Sequence, residues 1–108
     1  MKHYVFAYGT LKHGYRNHNF LKDSTFICEA LVEGFYMFDL GSYPGIYEGE
    51  GKIYGELYEI DAATLAKMDY LEEEGSLYIR KSIKVNNLNV WIYVYNKNVD
   101  NIIKIEKY

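Results

Sequence analysis

Cysteine, proline and positive charge are all scarce in this sequence. Cys28 is the only cysteine among 108 residues, so the chain cannot form an internal disulfide and has no second thiolate for a zinc site. The chain has twelve Lys and Arg residues and fifteen Asp and Glu residues. The resulting formal charge of −3 argues against a nucleic-acid partner, because phosphate binding needs a basic surface. No apolar run is long enough to span a membrane, and the start has no secretory signal pattern. We therefore expect a cytoplasmic protein without nucleic-acid or membrane partners.

Hydrophobic residues are abundant instead. They make up 49% of the chain, aromatic residues make up 18%, and 13 residues are tyrosine, which argues against disorder. A chain of this length folds as one domain (residues 1–108) and buries well over half of its unfolded surface. Because the run around Cys28 is apolar, we expect a buried structural thiol. The spacing of His3, His13 and His18 is not that of metal ligands, and we predict no metal site.

A short apolar run near the start ends at a glycine. Residues 4–7 are rich in strand formers and predict a buried strand, which leads to Gly9. A glycine at a strand end allows a sharp turn and lets a ligand approach the bare main chain. Successive N–H groups in such a turn can hold a carboxylate or an oxyanion, and the Thr10 hydroxyl can add a donor. By itself the pattern also fits a plain turn without a ligand, which is the commoner case for a short motif.

The middle of the chain predicts strands and a loop. Residues 24–38 are expected to form two strands, separated at residues 33–34. Residues 39–51, which contain the only proline, are expected to be the longest loop. Residues 52–60 predict another strand, in which Gly55 indicates a bulge or the close approach of another main chain.

One helix follows this strand. Asp61 is placed as its N-cap, and Ile60 and Leu65 have the spacing of a hydrophobic staple. We predict that the helix begins after Asp61 and ends at Leu71 or Glu72.

The remaining elements complete an α+β fold. Residues 77–85 and 88–95 predict two strands, and the Asn86-Asn87 connection makes them an antiparallel hairpin. An apolar cluster at residues 102–105 predicts a short edge strand, and residues 15–22 predict a short helix or a structured loop. The fold class is therefore α+β, with about six strands and one or two short helices. Strands this short and numerous are expected to close into a small β-barrel.

The position of Glu72 on the helix implies that its side chain points in a different direction from those of Glu73 and Glu74. It follows Leu65 by seven residues and Met68 by four, so it shares the apolar face of the helix. Burial, the negative end of the helix dipole and the two adjacent carboxylates would all raise the pKa of Glu72. Two interpretations fit: a catalytic acid or base, or a structural partner for an arginine or a tyrosine hydroxyl.

Two separated motifs resemble those of the gamma-glutamylcyclotransferase-like family. The first is the turn Tyr8-Gly9-Thr10-Leu11-x-x-Gly14. The second is the segment Asp69-x-Leu71-Glu72-(x5)-Tyr78-x-Arg80. The opening is most similar to gamma-glutamylamine cyclotransferases, and residues 43–46 and 55–58 also resemble family segments in the family's order. The resemblance therefore covers most of the chain.

The resemblance implies a mixed β-barrel flanked by helices, with a substrate pocket. It implies that Glu72 is the catalytic acid/base, and that the substrate-binding residues are Tyr8, Gly9, Thr10, Leu11 and Tyr78. Arg80 is expected to be structural, as an orienting partner for a carboxylate. Glu73 departs from the pattern, since many relatives have glycine after the catalytic glutamate.

The implied substrate is a small gamma-glutamyl compound. Its free α-amine attacks its own side-chain amide carbonyl, which closes 5-oxoproline and releases an amine. A base must take a proton from the amine and return one to the leaving nitrogen, the folded substrate must be held, and the oxyanion must be stabilised. This chemistry needs neither a cofactor nor a metal. Whether the Tyr8–Leu11 turn holds the substrate carboxylate or the oxyanion is left open by the sequence.

Two other classes of function remain open at this point. The first is a small-molecule (carboxylate) binding domain that uses the same cavity without turnover. The second is a structural protein that dimerises through the edge strand at residues 102–105. We expect a monomer or a weak homodimer.

Overall fold

The computed structural model describes residues 2–108. It contains six strands, one α-helix and a single 3₁₀ turn at His18–Leu21. In chain order the elements are β1 (Lys2–Ala7), β2 (Thr25–Asp39), β3 (Pro44–Asp61), α1 (Ala62–Leu71), β4 (Tyr78–Val85), β5 (Leu88–Tyr95) and β6 (Lys104–Ile105). Within residues 2–108 there is no helix with the length and apolar character to cross a membrane.

The six strands form one mixed sheet in the order β4-β5-β1-β3-β2-β6. β1 runs parallel to β5, and every other neighbouring pair is antiparallel. The α+β class and the six strands are as predicted, but the expectation of a closed barrel was wrong. No pairing within the described chain joins β4 to β2 or β6, and the two residues of β6 cover little of the β2 edge. Side chains of β2 and β4 instead line a cavity of about 420 Å³ between them.

Alternation along the strands buries an apolar cluster on each face of the sheet. Neighbouring residues such as Val5 and Phe6 point to opposite faces and are almost completely buried. The first cluster contains Phe6, Tyr8, Met37, Ile46, Ile53, Leu57, Val90 and Ile92, among others. The second includes residues of the helix, and its members include Val5, Leu11, Leu21, Tyr58, Ile60, Leu65, Met68, Tyr78 and Tyr93. Residues 5–7 of the strand predicted at residues 4–7 are therefore buried, as expected, and the strand lies in the middle of the sheet.

Strands β2 and β3 are longer than the sequence predicts. β2 continues through Gly34, which has φ +93° and lies at a shift of register between Glu33 and Phe35. The two predicted strands are thus one bulged strand. Residues 44–51 are also strand rather than loop, and only residues 40–43 connect β2 to β3. The glycines at these positions make room for aromatic rings, since a Cβ on Gly45 would lie 2.7 Å from the Phe38 ring.

The helix begins and ends where the sequence places it. Asp61 caps α1 by accepting a hydrogen bond from the Thr64 N–H on Oδ1, at 2.7 Å. At the other end, the Glu74 N–H donates to the Asp69 carbonyl at 2.9 Å and the Glu73 N–H donates to the Tyr70 carbonyl at 3.2 Å. This is a Schellman motif with Glu72 as the C-cap. Glu73 occupies the left-handed position of this motif, with φ +49°, where a glycine would be unstrained.

The hairpin and the edge strand also agree with the prediction. Asn86 and Asn87 have φ values of +50° and +66°, which allow a two-residue connection between β4 and β5. The cluster at residues 102–105 contributes β6, which pairs with Met37 and Phe38 at the edge of the sheet. Inside β3, a Cβ on Gly55 would lie 2.6 Å from the Ala7 carbonyl oxygen, which is the close main-chain approach that was predicted.

Cys28 is half-buried rather than buried. It lies at a shift of register between Phe26 and Cys28, at the start of β2, where both Phe26 and Ile27 are exposed. Its side chain packs against the outside of the first apolar cluster. The segment around Cys28 is therefore not fully buried, although its residues are apolar.

Candidate active site

The residues predicted from the two motifs line a single pocket. It lies where the chain leaves β1, where α1 ends and where β3 and β4 begin. The lining residues are Phe6, Ala7, Tyr8, Gly9, Thr10, Leu11, Tyr43, Pro44, Glu72, Tyr78 and Tyr93. The central position of β1, between β5 and β3, brings its C-terminal turn close to residues that are more than 60 positions away in the sequence. All six residues that the sequence analysis assigned to the site thus meet here.

Main-chain carbonyl groups of the Gly9–Leu11 turn all have partners. The Lys12 N–H donates to the Gly9 carbonyl at 3.1 Å, and the Asn17 N–H donates to the Thr10 carbonyl at 3.0 Å. His18 Nδ1 lies 2.9 Å from the Leu11 carbonyl oxygen. These contacts fix the turn from within its own loop.

The N–H groups of the same turn have no such partners. Within residues 2–108, the main-chain N–H groups of Gly9, Thr10 and Leu11 donate to no main-chain or side-chain acceptor. Thr10 and Leu11 are nevertheless buried, at 9% and 5% exposure. Successive main-chain N–H groups without protein partners are the type of donor set that can hold an anion. Asn17 Nδ2 donates to Thr10 Oγ1 at 2.9 Å, which leaves the Thr10 hydroxyl proton available to a ligand.

Gly9 is needed because of Pro44 rather than because of an unusual dihedral angle. A Cβ on Gly9 would lie 2.6 Å from Pro44 Cγ and 2.8 Å from Pro44 Cδ. Pro44 therefore packs directly on the bare main chain of the turn. This contact joins the end of β1 to the start of β3 across the pocket.

Among residues 2–108, Glu72 contributes the only carboxyl group that lines the pocket. Burial raises the pKa of Glu72 to about 7. Within the described residues, no lysine or arginine forms an ion pair with this carboxyl, and Arg80 pairs with Asp69 instead. The interpretation of Glu72 as a structural partner of an arginine is therefore wrong. A carboxyl with a pKa near neutrality exists in both protonation states at physiological pH and can take up and release a proton.

Four tyrosines line the pocket together with Glu72, and the hydroxyls of two of them hold its walls. The Tyr78 hydroxyl donates to the Pro44 carbonyl at 2.6 Å, and the Tyr8 hydroxyl donates to the Tyr93 carbonyl at 2.6 Å. Burial, with the nearby Glu72 carboxylate as a further cause, raises the pKa of Tyr78, and burial likewise raises the pKa of Tyr8 well above the ordinary value. Both phenols are thus neutral donors, and their hydroxyls connect strands.

Sequence analysis did not assign five of the lining residues to the pocket: Phe6, Ala7, Tyr43, Pro44 and Tyr93. Tyr43 and Pro44 stand in a segment that resembles the family, so a signal for them was present. Tyr93 lies within the regular alternation of β5, and nothing in the sequence distinguishes it from the other tyrosines. Within residues 2–108 there is also no group of three or more His, Cys, Asp or Glu side chains that could hold a metal ion.

Comparison with known proteins agrees with the geometry. Residues 5–108 match the family described as gamma-glutamyl cyclotransferase, AIG2-like. A Vibrio cholerae protein is 41% identical over 98 residues, which cover 90% of this chain and 85% of that protein. The gamma-glutamylcyclotransferase family protein YtfP of Escherichia coli K12 is 35% identical over 102 residues, which cover 94% of this chain and 90% of YtfP.

Solved structures show the same fold. The solution structure of YtfP from Escherichia coli superimposes with a TM-score of 0.80 over 96% of this chain and 92% of its own, at 35% identity. The crystal structure of an AIG2-like protein from Mus musculus superimposes with a TM-score of 0.86 over 99% of this chain and 88% of its own. At 24% identity, the latter establishes the fold alone. From the family match and from relatives that cover nearly the whole chain, this protein belongs to the gamma-glutamyl cyclotransferase, AIG2-like family.

Proposed function

We propose that this protein is a cyclotransferase that converts the gamma-glutamyl group of its substrate into 5-oxoproline and releases an amine. The observation that carries the proposal is the pairing of two features in one pocket. Glu72 has a carboxyl pKa of about 7, and the Gly9–Leu11 turn presents three free N–H groups. A proton acceptor beside an anion cradle is what this reaction requires.

Glu72 is assigned as the general acid/base. The α-nitrogen of the gamma-glutamyl group forms a bond to its own side-chain carbonyl carbon, and the bond from that carbon to the leaving nitrogen breaks. The Glu72 carboxylate accepts the proton that the attacking amine loses. It then returns the proton to the leaving nitrogen, so that no net charge or proton remains on the enzyme.

The turn supplies the positive side of the site. Its N–H groups and the Thr10 hydroxyl are donors for an anion that needs several hydrogen bonds at once. That anion is either the α-carboxylate of the substrate or the oxyanion that forms at the attacked carbonyl. Tyr8 and Tyr78 form the walls that face Glu72, and their neutral rings keep the site apolar.

The pocket must widen to take this substrate. Its volume of about 30 Å³ corresponds to roughly one water molecule, which is less than a gamma-glutamyl group occupies. One wall consists of Tyr43 and Pro44, which follow the short connection between β2 and β3. We assign substrate entry to a displacement of this wall from the turn.

One relative is named for a gamma-glutamyl cyclotransferase reaction. A protein of Niallia circulans named gamma-L-glutamyl-butirosin B gamma-glutamyl cyclotransferase is 32% identical over 105 residues, which cover 87% of this chain and 67% of that protein. We assign the same reaction class to this chain. Glu73, the residue after Glu72, is exposed and does not line the pocket.

The test is the release of 5-oxoproline from a panel of gamma-glutamyl amines, gamma-glutamyl amino acids and glutathione. The wild type is compared with Glu72→Gln and with Glu73→Gln, a matched change at the adjacent exposed glutamate. We expect turnover of at least one substrate by the wild type and by Glu73→Gln. Glu72→Gln should lose at least about a hundredfold in rate with its circular dichroism unchanged.

Two results would contradict the proposal. Turnover that survives in Glu72→Gln would remove the assigned acid/base. No turnover of any substrate, together with saturable binding of 5-oxoproline by isothermal titration calorimetry, would leave the carboxylate-binding domain as the correct interpretation.

A further inference from the structure

The side chain of Lys12 is buried, which is rare for a lysine. It is 4% exposed, and it is the one charged residue among residues 2–108 that is buried to this degree. Its Nζ donates a hydrogen bond to the main-chain oxygen of Tyr108 at 2.7 Å, and the Tyr15 hydroxyl donates to the same oxygen at 3.0 Å. The ammonium also lies 5.0 Å from the centre of the Tyr15 ring. An ammonium removed from water needs such partners, because its desolvation is costly.

The main chain of Lys12 closes the candidate anion cradle. Its N–H donates to the Gly9 carbonyl, so Lys12 is the last residue of the turn that begins at Gly9. The same residue therefore contacts the cradle through its main chain and Tyr108 through its side chain. The two partners of the Lys12–Tyr108 bond are 96 positions apart in the sequence.

The end of the chain is docked independently of this bond. β6 pairs with Met37 and Phe38, and the Tyr54 N–H donates to the Glu106 carbonyl at 2.8 Å. The Tyr108 ring packs against the first apolar cluster and lies 5.5 Å from the Tyr15 ring, between centres. The tail is thus held on β2 and β3, and Lys12 extends this support to the loop that carries the cradle.

We propose that Lys12 is a positioning residue that makes the cradle depend on the docked C-terminal tail. By binding Tyr108, it holds the Gly9–Leu11 turn in the geometry in which its N–H groups converge on an anion. The hydrogen bonds to this turn from Asn17 and His18 come from the same loop. Outside the loop, Pro44 packs on Gly9, and Lys12 adds the link to the tail. The inference rests on the proposed function of the turn as the substrate cradle.

The first experiment compares kcat/KM among matched variants, at a temperature where all of them are folded. Lys12→Met removes the ammonium and keeps the apolar stem, and deletion of Tyr108 removes the acceptor. We expect each to lower kcat/KM by about tenfold, as for the loss of one charge-assisted hydrogen bond, and their combination to lower it no further. Lys12→Arg should recover most of the loss. Lys107→Met, an exposed lysine of the same tail, should stay within about twofold of the wild type.

Hydrogen exchange by NMR tests the same inference without turnover. In Lys12→Met and in the chain without Tyr108, the main-chain amide at position 12 should exchange about tenfold faster, while the amides of β1 and β5 keep their protection. Loss of protection at position 12 in a protein with no measurable turnover would refute the proposed function and support the positioning role. Unchanged exchange at position 12 would overturn the inference. A lower melting temperature with unchanged kcat/KM would also overturn it, because Lys12 would then be merely structural.

Discussion

The guanidinium of Arg80 is bound to Asp69 and not to Glu72, although both carboxylates are at the end of the same helix. Nη1 of Arg80 lies 2.5 Å from Oδ2 of Asp69, and the Tyr93 hydroxyl donates to the other oxygen, Oδ1, at 2.7 Å. The Arg80 guanidinium also lies 4.3 Å from the centre of the Trp91 ring. Asp69 therefore takes up the nearby positive charge. Glu72 keeps its raised pKa because no cation compensates its burial.

The first prediction concerns the pH dependence of turnover. Glu72 must be ionised to accept a proton, and its pKa is about 7. We expect kcat/KM to rise with pH through an apparent pKa near this value, since kcat/KM reports the ionisation of the free enzyme. This apparent pKa is measured from a pH–rate profile with the best substrate of the panel. An inflection near the ordinary value of a glutamate would show that the acting carboxyl is not buried.

The same carboxyl group predicts how stability changes with pH. The folded state holds the Glu72 proton up to a pKa of about 7, against 4.5 as the ordinary value. The folded state therefore binds more protons between these values, and the free energy of unfolding falls as pH rises through this window. Glu72→Gln should remove this slope and be more stable than the wild type at pH 8, by about 1 to 3 kcal/mol after allowance for solvent screening.

Urea unfolding of both proteins at several pH values checks this prediction. Glu73→Gln is the control, because Glu73 is exposed and its change should keep the slope of the wild type. Parallel stability curves for Glu72→Gln and the wild type would mean that the Glu72 carboxyl is solvated in the folded protein.

The third prediction concerns the contact between Gly9 and Pro44. Gly9→Ala would place a Cβ 2.6 Å from a rigid proline ring, so the turn or the pocket wall must shift. We expect a loss of about 1 to 3 kcal/mol of stability and a fall of about a hundredfold in kcat/KM. Thermal unfolding and 5-oxoproline release measure the two effects.

Two further variants separate the clash from other effects of alanine. Gly14 lies in the same loop and has φ +88°. The Cβ that Gly14→Ala adds would have no atom within 4 Å. This substitution should cost about 1 kcal/mol from backbone strain and leave activity unchanged. Pro44→Ala in the Gly9→Ala background should recover part of the lost activity. Equal activity losses in Gly9→Ala and Gly14→Ala would contradict the assignment.

The fourth prediction concerns the strained residue after the C-cap of the helix. Glu73 has φ +49°, which is costly for a residue with a Cβ. Glu73→Gly should stabilise the protein by about 0.5 to 1 kcal/mol relative to Glu73→Ala, which removes the same charge but keeps the strain. Chemical unfolding of the two variants isolates the backbone effect. Equal stability would indicate that the Schellman motif relaxes around the side chain.

Local chemistry let much of this fold be predicted. The N-cap at Asp61, the hairpin at Asn86-Asn87 and the buried strand β1 depend on neighbouring residues, and the structure has all three. The inward position of Glu72 was also predictable, because helical periodicity alone places it above Met68. Two motifs were sufficient to indicate the pocket, since the family resemblance assigned Glu72 and the turn to one site.

Pairing between strands overrode local sequence signals in the middle of the chain. The segment 44–51 is rich in glycine and begins with the only proline, so it has the composition of a loop. It is nevertheless a strand, because β2 supplies its hydrogen-bond partners and aromatic rings that fill the space above its glycines.

The sequence by itself determined the helix, the hairpin, strand β1 and the identity of the reactive groups, because those depend on residues within a few positions of each other. Only the tertiary structure decided how these groups are paired. It assigns Arg80 to Asp69, leaves the N–H groups of the Gly9–Leu11 turn free, and joins Lys12 to Tyr108. Each of these relationships connects elements that are distant in the chain or selects one partner among several. Such choices follow from the packing of the whole sheet, and no local pattern encodes them.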